Sequence, residues 1–295
     1  MDWANGFIAV DWGTTNRRAY LIGADGRCTD EMEDDSGILS VPAGGFPAAV
    51  AEIRARLGDL PLLMGGMIGS NRGWIEAPYV PCPAGIDDLA ARLAWAQGER
   101  AAIVPGVSYL GDERADVMRG EEVQILGAIE TGMIPRDGFV CHPGTHNKWI
   151  EVREGRILSF RTVMTGEMFS LLKEHSILAD LLALPADVGD AFHRGVRRGL
   201  SHEGLTAELF SVRARVLLGQ APREEAASYT SGLLIGTDLR IGLRGAPEGE
   251  VIVMGRPELT ALFAAALPEA GFEGREVDGE EAFLAGAQVI AERLS

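Results

Sequence analysis

The sequence predicts an α/β protein made of two similar halves, and three observations support this. Residues 7–22 and 138–163 each read as a strand, a Gly-Thr turn and a return strand. Short apolar runs, such as 60–64 and 251–254, alternate with longer segments whose apolar residues recur at helical spacing. A chain of 295 residues is also longer than one domain usually is. We therefore expect a duplicated fold whose two Gly-Thr turns face each other across a cleft.

The boundary between the halves is expected near residue 135, which gives an N-terminal domain at 1–135 and a C-terminal domain at 136–295. Apolar residues at helical spacing predict helices over 46–57, 86–97 and 120–131 in the first domain. The same spacing predicts helices in the second domain over 167–184, 187–198, 203–217, 225–243, 258–267 and 280–294. Strands are predicted at 60–64, 101–105 and 251–254 in addition to the two hairpins.

The charge balance argues against two classes of partner. The chain has 43 Asp and Glu against 27 Lys and Arg, a net charge of −16, and nucleic acids and anionic membranes both favour basic patches. We expect neither as a partner, and an anionic substrate would need local basic residues to bind. No apolar run approaches the length of a membrane span and the N-terminus has no signal-like core, so we expect a cytoplasmic protein. The oligomeric state stays open, a homodimer included.

The first chemical signature lies between the first two strands. A glycine followed by threonine hydroxyls offers N–H and O–H donors to phosphate oxygens, and Asp11, at the end of the first strand, suits Mg²⁺ directly or through water. A β-hairpin whose glycine and threonines serve only the turn is the alternative. The candidate phosphate ligands in this segment are Gly13, Thr14, Thr15, Asn16 and Arg18.

A second Gly-Thr turn follows the strand at 138–141. Lys148, just beyond it, is one of two lysines in a chain whose other basic residues are arginines, which hints at a specific role; a surface lysine without one is the alternative. The candidate nucleotide ligands in the second half are Gly144, Thr145, His146, Lys148 and Gly255.

The motif Asp-x-Gly-Thr-Thr-Asn-x-Arg at 11–18 resembles the first phosphate motif of the actin, hexokinase and sugar-kinase superfamily. The turn at 143–145 lies where that superfamily has its second phosphate motif, and Gly255 resembles the glycine of its adenosine motif. The resemblance implies two ribonuclease-H-like (actin-like ATPase) domains with an interdomain cleft, and ATP with Mg²⁺ as cofactors. Many members have adjacent glycines at the adenosine motif, where this chain has Gly255-Arg256-Pro257.

Longer strings resemble one family of that superfamily, the 2-keto-3-deoxygalactonate kinases. These strings are MIGSNRGWIEAPY at 67–79, VMRGEE at 117–122, PGTHNKW at 143–149 and RTVMTGE at 161–167. The resemblance implies phosphorylation of 2-dehydro-3-deoxy-D-galactonate, a small sugar acid, at its 6-hydroxyl in galactonate catabolism. Two alternatives stay open: a kinase of another sugar acid such as 2-keto-3-deoxygluconate, and an actin-like ATPase without a sugar substrate.

Phosphoryl transfer to a hydroxyl needs a carboxylate within hydrogen-bond reach. The superfamily's base is usually an acid at the start of the helix that precedes the second phosphate motif. Glu121 is our first candidate, Asp116 the second, and Glu122 the third. The alternative for each is an acid that stabilises the helix N-terminus.

A sugar acid carries a carboxylate, which arginine binds well. Arg18, Arg72, Arg119 and Arg161 lie in or beside the motifs and are the candidates, with a structural ion pair as the alternative for each. Trp74 is a candidate for an apolar face of the sugar, and a place in the core is its alternative. The further candidates for the sugar site are Ser70, Asn71, Glu76 and Tyr79.

Overall fold

The computed structural model describes residues 3–246 and 249–294, and these divide into two compact units. The first unit holds the described residues up to Asp137, together with Val152–Ser159 and the described residues from Gly279 onward. The second unit holds the described residues of 138–151 and 160–278. We had expected the last helix in the C-terminal domain, whereas the structure groups it with the first unit.

The strands, in chain order, are β1 (Phe7–Trp12), β2 (Arg17–Ile22), β3 (Cys28–Asp34), β4 (Leu62–Gly66), β5 (Val80–Pro81), β6 (Ala94–Ala96), β7 (Ala101–Ile103), β8 (Val107–Leu110), β9 (Ala115–Met118), β10 (Gly138–His142), β11 (Asn147–Arg153), β12 (Arg156–Val163), β13 (Glu250–Gly255) and β14 (Glu273–Asp278). The α-helices are α1 (Phe46–Leu57), α2 (Ile86–Ala90), α3 (Glu121–Glu130), α4 (Thr165–His175), α5 (Asp190–Ser201), α6 (Leu205–Leu217), α7 (Ala226–Gly242), α8 (Pro257–Ala266) and α9 (Gly279–Glu292).

Five strands of the first large sheet have the same order as the five strands of the second. The first runs β3-β2-β1-β4-β7-β6 and the second runs β12-β11-β10-β13-β14. In each sheet, the first three strands of that half of the chain lie side by side in reverse order. The first of these three strands then pairs in parallel with a later strand, β1 with β4 and β10 with β13. The predicted fold class, a duplicated α/β architecture, is confirmed. A small third sheet, β5-β8-β9, was not predicted.

Each unit has its own apolar core. In the first unit, β1 and β4 are buried runs that pack with α1 through residues such as Val10, Ile53 and Met64. In the second unit, β10 and β13 pack with α5 and α7 through residues such as Phe192 and Leu239. Burial of these apolar side chains is the main force that holds each unit together.

Glycines allow the last helix to pack closely in the first unit. A Cβ on Gly127 of α3 would lie 2.2 Å from the backbone nitrogen of Gly286 in α9, and a Cβ on Gly286 would lie 2.1 Å from the carbonyl oxygen of Val123. No side chain fits such a gap, so backbone contacts backbone here. This packing explains why the C-terminal helix belongs to a unit that is otherwise formed by the N-terminal half.

Two predicted helices were wrong in their second halves. The segment 167–184 is α-helical, as α4, only as far as His175. The segment 86–97 forms the short helix α2 only as far as Ala90, and Ala94–Ala96 then pair as an edge strand with β7. The sheet edge offers hydrogen bonds that the local helical spacing does not predict.

None of the helices in the described part of the chain combines the length and the apolar composition that a membrane span needs.

Candidate active site

Three chain segments of the first unit meet at Gly66. Asp11 and Trp12, at the end of β1, pair with Gly65 and Gly66 at the end of β4. A Cβ on Gly66 would lie 2.8 Å from the carbonyl oxygen of Trp12 and 3.2 Å from Oδ1 of Asp11, and a Cβ on Gly120 would lie 3.4 Å from Cα of Gly66. Gly66 has a φ of +88°, which suits glycine. The carboxyl ends of β1 and β4 and the start of α3 therefore form one cluster, the usual place for a site in an open α/β sheet.

The turn after β1 is supported from one side. The Gly13 N–H donates to the carbonyl oxygen of Asn16 at 2.9 Å. The carbonyls of Gly13 and Thr15 accept hydrogen bonds from the backbone N–H groups of Ile38 and Gly37, both at 3.0 Å. Thr14 and Thr15 are exposed. A neighbouring segment thus fixes the turn while its two threonines face solvent, as a phosphate-binding turn requires.

The two arginines after this turn are already paired. Arg17 is buried and donates to both carboxylate oxygens of Asp34, at 3.2 and 2.6 Å, so its role is structural. Arg18, a predicted phosphate ligand, forms ion pairs with Glu33 at 2.9 Å and Glu280 at 3.2 Å. These two carboxylates offset the charge that Arg18 would bring to the turn.

The three candidate bases have different environments. Glu122 is fully buried, and both of its carboxyl oxygens accept from the Gly120 N–H, at 2.9 and 2.8 Å. Burial raises the pKa of Glu122 to about 8, and the charge of Glu121 adds to this effect. Glu121 is only half-buried and accepts from the Arg119 N–H at 3.1 Å. Asp116 lies on β9 and accepts from the backbone N–H of the next residue at 2.9 Å.

Arg119 lies next to these acids. Its Nη2 donates to the carbonyl oxygen of Ala77 at 2.8 Å, and its guanidinium carbon lies 4.4 Å from the centre of the Tyr79 ring. A Cβ on Gly69 would lie 2.8 Å from Nη1. Within the described part of the chain, the buried Nε and Nη1 of Arg119 have no hydrogen-bond partner. Buried donors without a partner are rare and costly, so they indicate a place for an anionic group.

The other predicted sugar ligands lie along the segment between β4 and β5. Ser70 is buried and its hydroxyl accepts from the Arg72 N–H at 3.3 Å, whereas Asn71 and Glu76 are exposed. Trp74 stacks on Phe46 of the core, with ring centres 6.3 Å apart. This contact supports the core alternative for at least one face of Trp74.

In the second unit, the carboxyl ends of two parallel strands also lie together. β10 pairs with β13 through Cys141 and Val253, so the segments that follow both strands leave the same edge of the sheet. Gly255 has a φ of +151°, and a Cβ on it would lie 3.4 Å from the carbonyl oxygen of Pro143. Helix α8 then begins at Pro257. The structure thus brings two predicted nucleotide segments, the second Gly-Thr turn and Gly255, into contact.

The start of α4 packs on the second turn. A Cβ on Gly166 would lie 2.5 Å from the carbonyl oxygen of Gly144. The Glu167 N–H donates to the carbonyl oxygen of Thr145 at 2.9 Å, and the Glu167 carboxylate lies 2.5 Å from Nε2 of His146. Thr145 and His146 are exposed. Our site predictions did not include Glu167, although it ends one of the strings that carry the family resemblance.

Two predicted cations of the second unit differ in placement. Lys148 is buried, and its Nζ donates to the carbonyl oxygen of His146 at 3.3 Å, so its charge lies at the turn. Arg161 lies on β12 and is half-buried. A further group that sequence reasoning missed is Asp238, a buried carboxylate on α7 that accepts from the side chains of Asn147 and Trp149.

Comparisons with known proteins identify the family of this chain. The chain is 36% identical over 293 residues to 2-dehydro-3-deoxygalactonokinase of Escherichia coli (strain K12), with 98% of each chain covered. A crystal structure of a Sinorhizobium meliloti protein, assigned as a 2-dehydro-3-deoxygalactonokinase, has a TM-score of 0.91 and 34% identity over 98% of this chain and 99% of that one. The crystal structure of component A of the Acidaminococcus fermentans (R)-2-hydroxyglutaryl-CoA dehydratase has a TM-score of 0.54 at 14% identity, covering 98% of each chain, a likeness of fold alone.

The match to the family described as 2-keto-3-deoxy-galactonokinase extends over residues 11–290, nearly the whole chain, and includes both Gly-Thr turns, the acids at the start of α3 and the segment around Gly255. The chain therefore belongs to the 2-keto-3-deoxy-galactonokinase family.

Proposed function

We propose that the protein transfers the γ-phosphoryl group of ATP to the 6-hydroxyl of 2-dehydro-3-deoxy-D-galactonate, in galactonate catabolism. Membership of a kinase family supports the class of reaction. The observation that carries the proposal is the cluster in the first unit, where carboxylates at the start of α3 lie beside Arg119, whose buried Nε and Nη1 have no hydrogen-bond partner among the described residues. Such a cluster suits a substrate that carries both a reacting hydroxyl and a carboxylate.

Each unit has a Gly-Thr turn that is proposed as a phosphate ligand. In the first unit, the exposed Thr14 and Thr15 offer hydroxyls to phosphate oxygens. In the second unit, the exposed Thr145 and the buried Lys148 give the second turn donors and positive charge, which a chain of net charge −16 needs for an anionic ligand. Gly255 lies beside Pro143 of the second turn, and the adenosine is proposed to bind next to it.

Mg²⁺ is proposed to bind with the nucleotide. Among the described residues, no group of three or more His, Cys, Asp or Glu side chains is arranged to hold a metal. The ion would then keep several water and phosphate ligands, as Mg²⁺ commonly does. Asp11, half-buried at the end of β1 beside Gly66, has the carboxylate that suits one such ligand. When bound, the ion offsets the charge that builds on the phosphate oxygens during transfer.

Glu121 is our proposed base. Glu122 is fully buried with both oxygens directed to the Gly120 N–H, a geometry suited to capping α3. Asp116 bonds within its own strand and lies 3.9 Å from Arg114. Glu121 is half-buried at the N-terminus of α3, two residues beyond Arg119. In the reaction the sugar O6 forms a bond to the γ-phosphorus, the bond from that phosphorus to the β-γ bridging oxygen breaks, ADP leaves, and the hydroxyl proton passes to Glu121.

Arg119 is our proposed ligand for the substrate carboxylate. Arg17 and Arg18 are held by Asp34, Glu33 and Glu280. Arg119 combines buried donors that lack a partner among the described residues with a position two residues before the proposed base. A carboxylate would satisfy those donors with charge-assisted hydrogen bonds.

A coupled assay of ADP release tests the proposal. The purified protein is given ATP and Mg²⁺ with 2-dehydro-3-deoxy-D-galactonate, with 2-dehydro-3-deoxy-D-gluconate, or with no sugar acid. We expect turnover with the galactonate and a lower kcat/KM with its epimer, because hydrogen bonds to one hydroxyl separate the two. A preference for the gluconate would contradict the substrate, and equal ADP release without any sugar acid would favour an ATPase.

A further inference from the structure

A buried carboxylate lies close to the Gly144–His146 turn of the second unit. Asp238, on α7, is 1% exposed. Its Oδ2 accepts hydrogen bonds from Nδ2 of Asn147, at 2.9 Å, and from the hydroxyl of Thr165, and its Oδ1 accepts from Nε1 of Trp149 at 2.7 Å. One carboxylate therefore links three elements: α7, β11 and the first residue of α4.

The residues bonded to Asp238 flank the turn. Asn147 follows His146 directly and is fully buried. Thr165 begins α4, whose next residues contact the turn: Gly166 has no room for a side chain against the Gly144 carbonyl, and the Glu167 N–H donates to the carbonyl oxygen of Thr145. A change at Asp238 would thus loosen both the chain that leaves the turn and the helix packed on it.

The network also reaches the strand that enters the turn. The Cys141 thiol, in β10, donates to Oδ1 of Asn147 at 3.4 Å. Burial raises the pKa of this thiol and the nearby Asp238 carboxylate raises it further, which keeps the sulfur protonated and able to donate. Asn147 is therefore held from two sides, and its amide orientation is set by a donor at its oxygen and an acceptor at its nitrogen.

The carboxylate has a cost that its bonds only partly offset. Burial raises the pKa of Asp238 to about 6, while its bonds to Thr165, Trp149 and Asn147 lower it. A carboxylate charge in so buried a position is unfavourable unless it is well bonded.

We infer that Asp238 is a positioning residue for the nucleotide: by bonding Asn147, Trp149 and Thr165 it holds the Gly144–His146 turn in the conformation that accepts the phosphates. The inference rests on the proposed function for the role of this turn. In this role Asp238 does not contact the substrate, so its replacement should weaken the binding of the nucleotide and not that of the sugar acid.

The test is the affinity of the full-length protein for the Mg²⁺ complex of a non-hydrolysable ATP analogue, measured by calorimetry, in wild type and in Asp238→Asn. Asparagine cannot accept all three hydrogen bonds, because its NH2 group faces donors. We expect the Kd to rise about tenfold or more, because hydrogen bonds to charged groups are stronger than those between neutral groups. A tenfold change in Kd corresponds to a change of about 1.4 kcal/mol in binding free energy. The KM for the sugar acid should stay within about twofold of wild type in this comparison.

Two further variants make the test selective. Thr230→Val removes a hydrogen bond from Thr230 to the Ala226 carbonyl in the same helix, also fully buried, and should leave the Kd unchanged. Thr165→Val removes only one hydrogen bond to Asp238, so we expect a smaller rise in the nucleotide Kd. The double variant should bind the nucleotide no more weakly than Asp238→Asn, because the two residues act as one unit. If Asp238→Asn fails to fold, Thr165→Val carries the test alone.

The outcomes separate this inference from the proposed function. A nucleotide Kd for Asp238→Asn or Thr165→Val equal to that of Thr230→Val would overturn the positioning role. Equal rises in the nucleotide Kd and the sugar-acid KM would also overturn it, because they indicate general disorder. A wild type that binds the analogue but phosphorylates no sugar acid would contradict the proposed function alone, and a wild type that binds no nucleotide would overturn both.

Discussion

The buried carboxyl group of Glu122 should make stability fall as pH rises. Burial moves its pKa from the ordinary 4.5 to about 8 in the folded state. Between these two values the folded protein holds a proton that the unfolded chain has lost, so the free energy of unfolding decreases with rising pH, by about 1.4 kcal/mol per pH unit. The loss begins near pH 4.5 and is complete above pH 8, when it amounts to about 5 kcal/mol.

Glu122→Gln removes this titration while keeping an oxygen that can accept from the Gly120 N–H. The two proteins should have similar stability near pH 5, and the variant should then become the more stable one, by about 1 kcal/mol at pH 6 and about 3.5 kcal/mol at pH 8. Urea unfolding at several pH values measures this, and the difference between the two proteins cancels every other titrating group, Asp238 included. Parallel pH profiles for wild type and Glu122→Gln would refute the argument that burial governs this carboxyl group.

Two predictions concern the proposed chemistry. Glu121→Gln should lower kcat by about 100-fold or more and leave the nucleotide Kd unchanged, because the base acts only on the reacting hydroxyl. Wild-type turnover in this variant, together with loss of turnover in Asp116→Asn, would identify Asp116 as the base instead. Arg119→Met should raise the KM for the sugar acid by about tenfold to 100-fold, because charge-assisted hydrogen bonds to the carboxylate are lost. The control is Arg92→Met, which replaces an exposed arginine. An unchanged KM in steady-state assays of Arg119→Met would exclude Arg119 as the carboxylate ligand.

Much of the fold could be predicted because it is encoded locally. The repeated strand, Gly-Thr turn and strand at 7–22 and 138–163 indicated a duplication, and the common order of five strands in the two large sheets confirms it. Turn residues, apolar runs and helical spacing are all properties of short segments. The segment 86–97 shows the limit, because its second half pairs with β7, a partner that local spacing does not reveal.

The candidate site was predictable in part for the same reason. The motif residues around Asp11, Gly144 and Glu121 follow a recognisable order along the chain, so a resemblance could identify them. The environment of each side chain was not predictable. Glu121 and Glu122 are adjacent acids of the same type, yet one is half-buried and the other fully buried. Adjacent residues of a helix point to different sides of it, and only the packing of the helix against the rest of the protein decides which side is buried.

By itself, the sequence determined the duplicated α/β class, the two Gly-Thr turns and the acids at the start of α3, because these depend on residues close together in the chain. The tertiary structure alone decided that Arg18 is already paired, that Arg119 has buried donors without partners among the described residues, and that Asp238 joins Asn147 to Thr165. Asp238 and Asn147 are separated by 91 positions. Burial and hydrogen-bond partners of this kind arise from contacts between distant segments, and no local pattern of residues specifies them.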